Sequence, residues 1–320
     1  MKFTSTSLPT SQQYSVTELQ TCLNDLLNKI NQVAQGLNPA LPTASSSTLG
    51  VVKVGSNILL ASDGTISVQA PLAYGANAVQ ATGVILPLYV YPANVFTNAT
   101  YNYVIDVLKT YKRVPAMIIL NPSNGAGDPS VGTDGNYRVA IDRLHGAGAK
   151  VIGYVPASYA ARPLADVEHD VLVWQQLYPA VDGIFCDEMT YANDPAAILY
   201  FQNLNAYVKS LGFRYMVTNP GSPFSGKYQS ADVADIIIGW ETSAYPNLVQ
   251  EKEDWDGGAV AYSLYKRGAL VYNQPTLDTG LATSLAKYYG WVYVTSDNLP
   301  NPWDGIPGYL GDLFSLLSTL

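Results

Sequence analysis

Apolar and polar positions change their pattern near residue 83 of the chain. From there on, short unbroken apolar runs alternate with amphipathic stretches of helical length. Unbroken apolar runs are typical of strands covered on both faces, as in parallel sheets. The predicted strands are 84–91, 115–121, 150–156, 183–188, 213–219, 235–241, 268–273 and 290–296. The predicted helices between them include 97–111, 134–147, 163–178, 194–210 and 277–289.

Eight strands alternating with helices over about 240 residues predict an α/β fold, a (β/α)8 TIM barrel. The alternative is a doubly wound open sheet, which normally has a glycine-rich phosphate turn after its first strand. The first predicted strand instead ends in Tyr89-Val90-Tyr91-Pro92. We therefore expect the barrel to occupy residues 83–320.

Residues 15–37 place apolar side chains at alternating three- and four-residue spacing. The core positions are Val16, Leu19, Leu23, Leu26, Ile30, Val33 and Leu37. This spacing is typical of a coiled-coil seam, and the mixture of Leu and β-branched residues is compatible with a trimer. The alternative is a single amphipathic helix packed on its own chain. We assign residues 1–40 to a coiled-coil helix that trimerises the protein.

Residues 41–82 combine linkers with short β runs separated by glycine, which predict a small β-hairpin unit. A unit this small needs partners to complete a core. Its sequence, LGVVKVG followed by DGTISV, resembles the short repeats of bacteriophage tail fibres and tail spikes. In those proteins three chains supply the core together. The resemblance implies a homotrimer on a virion tail, with phage tail or baseplate proteins as partners.

The composition narrows the possible partners. The net charge of −8 argues against nucleic acid, and 48% hydrophobic against 13% charged residues argues against disorder. The 24 tyrosines suit sugars as well as other polar interfaces. Cys22 and Cys186 lie far apart and indicate no disulfide framework, and no metal-ligand spacing is present, so we expect no cofactor. We see neither a signal peptide nor a membrane-spanning run, and expect no membrane insertion.

Polar and aromatic residues gather at the carboxyl ends of the predicted strands, where barrel enzymes hold their catalytic groups. The candidate substrate-binding residues are Tyr89, Tyr91, Asn121, Asn124, Tyr154, Tyr159, Arg162, Asn219, Trp240, Tyr272 and Asp297. The candidate catalytic residues are Asp187, Glu188 and Glu241. Carboxylates among aromatic platforms point to glycoside hydrolysis, which needs one carboxylic acid and one carboxylate. We expect Asp187 and Glu241, two strands apart, to face each other across a sugar.

Each of these residues also has a purely structural explanation. The tyrosines can pack the barrel, and Asn121 and Asn219, which precede prolines, can end their strands. Asp297 can brace the last loop, and Trp303 can seal the barrel. Adjacent strand residues point to opposite faces, so only one of Asp187 and Glu188 should point inward unless the strand ends between them.

Residues 83–312 resemble the spherulin-4 family of glycoside hydrolases, which contains endo-acting galactosaminidases. The resemblance is carried, in order, by LPLYVYP at 86–92, ILNPSNG at 119–125, GYV at 153–155, DGIFCDE at 182–188, NPG at 219–221, DIII at 235–238 with Glu241, YVTSD at 293–297 and NPW at 301–303. It implies that Asp187 is the nucleophile or orients a substrate acetamide, that Glu241 is the general acid/base, and that Glu188 is a positioning partner. Tyr272 replaces an expected histidine, and Cys186 an aromatic or aliphatic residue.

The sequence therefore predicts a phage tail fibre or tail spike whose glycoside hydrolase barrel depolymerises a host surface polysaccharide, one that contains amino sugars. It would act outside the cell from the virion tail. One alternative is a receptor-binding protein that holds glycan without cleaving it. Another is a secreted cellular hydrolase, which the absence of a signal peptide and the fibre-like repeat disfavour.

Overall fold

The computed structural model describes residues 81–247 and 263–320, together with the backbone of two short strands, Ile58–Leu60 and Ile66–Val68. By its internal contacts the chain divides into two compact units, residues 1–78 and 79–320.

In the first unit the two short strands pair antiparallel, with Ile58 opposite Val68 and Leu60 opposite Ile66. This backbone arrangement is the one that the hairpin prediction for this segment expects. The predicted coiled coil at residues 15–37 lies outside the described residues.

The second unit is a closed barrel of eight parallel strands, in which each strand lies beside its neighbours in the chain and the last strand pairs with the first. The strands are β1 (Gly83–Pro87), β2 (Ala116–Leu120), β3 (Lys150–Pro156), β4 (Gly183–Asp187), β5 (Tyr215–Asn219), β6 (Ile236–Thr242), β7 (Arg267–Val271) and β8 (Trp291–Val294). Nearly all of their apolar side chains are buried, since the helices cover the barrel from outside. The TIM-barrel prediction is confirmed.

The helices are α1 (Ala99–Thr110), α2 (Gly135–Gly146), α3 (Leu164–Leu177), α4 (Pro195–Ser210), α5 (Lys227–Ser230), α6 (Thr279–Ala286) and α7 (Leu310–Leu317), with 3-10 turns at Ser158–Ala160 and Leu264–Lys266. Four helices begin at a polar cap whose side chain accepts a backbone N–H bond from the first turn. The caps are Asn98, Asp134, Asp194 and Asp278. Such caps each stabilise a helix by about 1 kcal/mol and explain why the predicted helix starts agree with the structure.

The structure shortens two predicted strands and adds one helix. The first strand ends at Pro87 and not at residue 91, because the backbone N–H of Tyr89 bonds to the carbonyl of Trp303 and the chain leaves the sheet. The last strand is shortened to Trp291–Val294. Helix α7, which was not predicted, buries Leu310, Phe314 and neighbouring residues against the barrel, with Phe314 6.3 Å from the Tyr111 ring.

A close approach between β3 and α3 fixes one edge of the candidate site. Gly153 lies directly under the indole of Trp174, where a Cβ atom would come within 2.3 Å of the ring. The indole N–H donates to the carbonyl of Tyr154 at 2.8 Å. Trp174 therefore packs onto the strand only because residue 153 has no side chain, and it holds the backbone from which Tyr154 projects.

Candidate active site

Three adjacent strands bring together two carboxylates and one amide at the carboxyl end of the barrel. Asp187 ends β4, Asn219 ends β5 directly beside it, and Glu241 lies on β6. The Asn219 side-chain nitrogen donates to Asp187 Oδ1 at 2.9 Å and to Glu241 Oε2 at 2.5 Å. Because both bonds share one nitrogen, those two oxygen atoms lie at most about 5.4 Å apart. The expectation that strands four and six direct carboxylates toward one opening agrees with this geometry.

The Asn-Pro-Gly turn after β5 orients both the amide and Glu241. The Asn219 Oδ1 atom accepts the backbone N–H of Gly221 at 2.9 Å, which directs the amide nitrogen toward the two carboxylates. The Gly221 carbonyl in turn accepts the backbone N–H of Glu241 at 3.0 Å. Gly221 has φ 66°, the left-handed region in which glycine is unstrained. A register shift in β6 between Ile238 and Trp240 changes the direction of the side chains that follow it, Glu241 among them.

Asp187 is enclosed and well supplied with hydrogen-bond donors. The Tyr154 hydroxyl donates to Oδ2 at 2.9 Å, and the backbone N–H of Glu188 donates to Oδ1 at 2.9 Å. Burial raises the pKa of Asp187, and the bonds from Glu188, Tyr154 and Asn219 oppose that rise because they stabilise the charged form. The carboxylate is therefore shielded from water, and hydrogen bonds from the protein take the place of its hydration.

The carboxyl group of Glu241 also has a strongly perturbed pKa. Glu241 keeps some exposed surface at the opening, but the protein encloses the carboxyl group. Burial first, and the negative charge of Asp187 second, raise the pKa of Glu241 to about 7, against hydrogen bonds from Asn219 and the Trp303 side chain that lower it. Two neighbouring carboxyl groups with different proton affinities are the arrangement from which general acids are made.

Aromatic side chains line this pair. The ring of Tyr89 lies 5.8 Å from that of Tyr154, and burial together with the charges of Asp187 and Glu241 raises the pKa of Tyr89 well above its usual value. Tyr272 meets Trp303 edge to face at 6.2 Å. Tyr89 and Tyr154 thus lie beside the two carboxylates, and Tyr272 packs against Trp303 next to them.

Trp303 was assigned no role beyond sealing the barrel. Its bond to Glu241 makes it a further residue of the site. The Asn-Pro-Trp motif was its only signal in the sequence.

Glu188 lies beside the pair but is turned away from it. Strand β4 ends at Asp187, and Glu188 adopts φ 58°. Its Oε2 atom accepts the backbone N–H of Ser158 at 2.9 Å and the Ser158 hydroxyl at 3.2 Å. The strand therefore does end between the two acidic residues.

Other candidates make contacts within the loops and helices. The Tyr91 hydroxyl donates to the Asp134 carboxylate at 2.9 Å, at the start of α2. Arg162 donates to the Pro156 carbonyl at 2.6 Å and pairs with Asp170 at 2.8 Å. These contacts tie loops to helices, and no carboxylate of the site takes part in them.

Five candidates remain, and three of them form local hydrogen bonds. Asn121 Oδ1 accepts the Gly125 N–H at 3.0 Å, the Trp240 indole donates to the Ala244 carbonyl at 2.8 Å, and Asp297 Oδ1 accepts the Asn298 N–H at 2.9 Å. Asn124, with φ 50°, shapes the loop after β2. Tyr159, in the loop after β3, is 62% exposed.

Within residues 81–247 and 263–320, no group of three or more potential metal-ligating side chains exists. In the same part of the chain, every helix is too short or too polar to cross a membrane.

Comparison with known proteins places the barrel among its relatives. Residues 83–317 match the family described as Spherulation-specific family 4. Spherulin-4 of Physarum polycephalum is 34% identical over 191 residues, 58% of this chain and 53% of that protein, so the chain spans about half of this relative's length. The crystal structure of Aspergillus clavatus Sph3 in complex with GalNAc superposes with a TM-score of 0.62 at 25% identity, covering 75% of this chain and 98% of that one. A glucosidase from Croceicoccus marinus, 11% identical with a TM-score of 0.45 over 75% of this chain and 66% of its own, adds no argument.

The family match covers most of the chain, including every barrel strand and both carboxylates of the site. The chain therefore belongs to spherulation-specific family 4, and it carries a glycoside hydrolase-like barrel related to Sph3.

Proposed function

We propose that the protein is an endo-acting glycoside hydrolase that uses Asp187 and Glu241 to cleave a polysaccharide containing N-acetylgalactosamine. The observation that carries this proposal is the bridging amide of Asn219, which holds the two carboxyl groups at a fixed short separation. Retaining glycosidases place their carboxyl groups about 5–5.5 Å apart, and inverting ones about 6.5–9.5 Å. The bound of about 5.4 Å between the two bridged oxygen atoms lies below the inverting range, which favours hydrolysis with retention.

In this mechanism Glu241 is the acid. With its pKa raised to about 7, it keeps its proton in neutral and mildly acidic solution. The proton passes to the glycosidic oxygen as the bond from that oxygen to the anomeric carbon breaks. At the same time an oxygen of Asp187, or the substrate's acetamide oxygen oriented by Asp187, bonds to the anomeric carbon.

The second half of the reaction reverses these roles. Glu241, now a carboxylate, takes a proton from a water molecule. The oxygen of this water bonds to the anomeric carbon, and the bond formed in the first half of the reaction breaks. Tyr154 and Asn219 donate hydrogen bonds to Asp187 throughout, which keeps it anionic and correctly directed for attack.

The proposed substrate is supported by two observations. The Sph3 structure, which matches 98% of its own length, was determined in complex with GalNAc. Large exposed side chains stand on the loops after the strands, among them Tyr91, Tyr159 and Tyr191. Aromatic rings spread around an opening suit a polymer that extends beyond the reacting sugar.

A reducing-end assay on a polymer of N-acetylgalactosamine tests the proposal. We expect Asp187→Asn and Glu241→Gln each to lower the rate by about 10²–10⁴-fold, the contribution usual for such groups. Asp106→Asn, an exposed carboxylate on α1, is the matched control and should keep full activity. Equal release by the wild type and both site variants would rule out this site. Binding of the polymer by the wild type without release would favour a glycan-binding protein.

We also propose that the protein acts from a phage tail as a homotrimer and depolymerises a host surface polysaccharide. This proposal is supported by the apolar heptad spacing of residues 15–37 and by the tail-fibre-like sequence that follows it. Light scattering on the full chain should give three chain masses. A monomer would contradict this assignment and would leave the barrel's chemistry untouched.

A further inference from the structure

The loop after β3 has an unusual backbone. Ser158, Tyr159 and Ala160 follow one another with φ values of 46°, 57° and 67°. None of them is glycine, and each left-handed non-glycine residue costs about 1–2 kcal/mol. Three in succession persist only where the surrounding structure imposes them.

The end of β4 imposes this conformation. The Glu188 carboxylate accepts the N–H and the hydroxyl of Ser158, and the Glu188 carbonyl accepts the N–H of Tyr159 at 2.7 Å. The carbonyl of Asp187 accepts the N–H of Ala157 at 3.0 Å. Four hydrogen bonds therefore run from the loop to the catalytic Asp187 and the residue after it.

The loop presents one aromatic side chain to solvent. Tyr159 is 62% exposed, and no hydrogen bond of its hydroxyl to the described residues is present. Tyr154, five residues earlier, is 7% exposed and bonds to Asp187 instead. An exposed ring on a rigid loop gains little from folding, but it offers a flat apolar face beside the opening.

We propose that Tyr159 is a platform on which a sugar next to the cleaved bond stacks, and that Glu188 is a positioning residue that holds the platform in place. This inference rests on the proposed function of the same site. It separates the two adjacent acidic residues: Asp187 touches the reacting sugar, and Glu188 acts through the loop.

The test measures kcat and KM for the N-acetylgalactosamine polymer. Tyr159→Ala should raise KM about 2–12-fold with kcat little changed, since stacking of this kind contributes about 0.5–1.5 kcal/mol. Tyr159→Phe keeps the ring and should recover most of that loss. Leu199→Ala, which removes an equally exposed apolar side chain from α4 outside the barrel, is the control and should leave KM unchanged. An unchanged KM in Tyr159→Ala overturns the platform.

A second pair of variants tests Glu188. Glu188→Ala should raise KM as Tyr159→Ala does, whereas Glu188→Gln retains an acceptor oxygen for Ser158 and should recover most of the loss. A kcat of Glu188→Gln as low as that of Asp187→Asn would show that the charge itself takes part in the reaction, and would overturn the positioning role. If Glu188→Ala does not fold, the Glu188→Gln result decides alone.

The two proposals fail in different ways. A wild type that releases no reducing ends refutes hydrolysis. In that case titration calorimetry with the same polymer still tests the platform, because Tyr159→Ala should bind about 2–12-fold more weakly than the wild type. Equal binding by both proteins overturns the platform, whatever the outcome for hydrolysis.

Discussion

Glu241→Gln replaces an enclosed acid by a neutral amide of the same size, and its effect on stability should depend on pH. The amide oxygen can still accept the bond from Asn219, so packing and hydrogen bonding are largely kept. What changes is that the variant cannot ionise. The free energy of unfolding of the two proteins should therefore diverge only where the wild-type carboxyl group loses its proton.

The sign and size follow from the raised pKa. In the unfolded chain Glu241 ionises near its ordinary pKa of 4.5, whereas in the folded protein it does so at about 7. Between these values the folded state binds more protons, so the wild-type stability falls as the pH rises. A rise from 4.5 to about 7 corresponds to about 3 kcal/mol, and about 2–3 kcal/mol is expected because part of the residue reaches water.

Urea unfolding of both proteins at a series of pH values from 4 to 8 measures this difference. The stability of Glu241→Gln relative to the wild type should increase by about 2–3 kcal/mol across the range, with most of the change between pH 4.5 and 7. Asp106→Asn, on the exposed face of α1, should show no comparable trend. A flat difference for Glu241→Gln, or one of opposite sign, would refute the argument that burial and Asp187 hold the proton on Glu241.

Two further predictions test the groups that support the site. Asn219→Ala removes hydrogen bonds that lower the pKa of both carboxyl groups. The alkaline fall of kcat/KM should therefore move to higher pH, and activity should drop about 10–100-fold. A move of this fall to lower pH would contradict the role of Asn219. Gly153→Ala places a methyl group against the Trp174 indole and should lower the free energy of unfolding in urea by about 1–3 kcal/mol or more. Gly135→Ala, whose added methyl group meets nothing within 4 Å, should lower it little. Equal losses in the two variants would contradict the close packing of Gly153 against Trp174.

The sequence alone predicted the barrel and the end of the barrel at which Asp187 and Glu241 lie. Buried strands read as unbroken apolar runs, and in a parallel barrel all their carboxyl ends meet at one edge, so Asp187 and Glu241 had to lie on the same side of the molecule. The family resemblance, carried by motifs at those same strand ends, gave the same positions.

Only the tertiary structure decided which side chains touch. Asn219 was a candidate substrate-binding residue that could also simply end its strand, and its bridging of the two carboxylates depends on the turn at Gly221 and the shift in β6. The hydroxyl of Tyr91, a candidate sugar-binding residue, bonds to Asp134, 43 residues away in the chain, a contact that the sequence does not predict.

The adjacent residues Asp187 and Glu188 show why the sequence predicts helices and strands but not side-chain contacts. The apolar pattern predicts which residues belong to a strand, but it does not determine whether the strand ends between Asp187 and Glu188. The direction of each side chain is set by its backbone angles, and the left-handed turn at Glu188 depends on hydrogen bonds to a loop some thirty residues earlier. Local pattern therefore determines the helices and strands and the end of the barrel at which a residue lies, whereas contacts between distant segments determine which carboxylate lies beside Glu241.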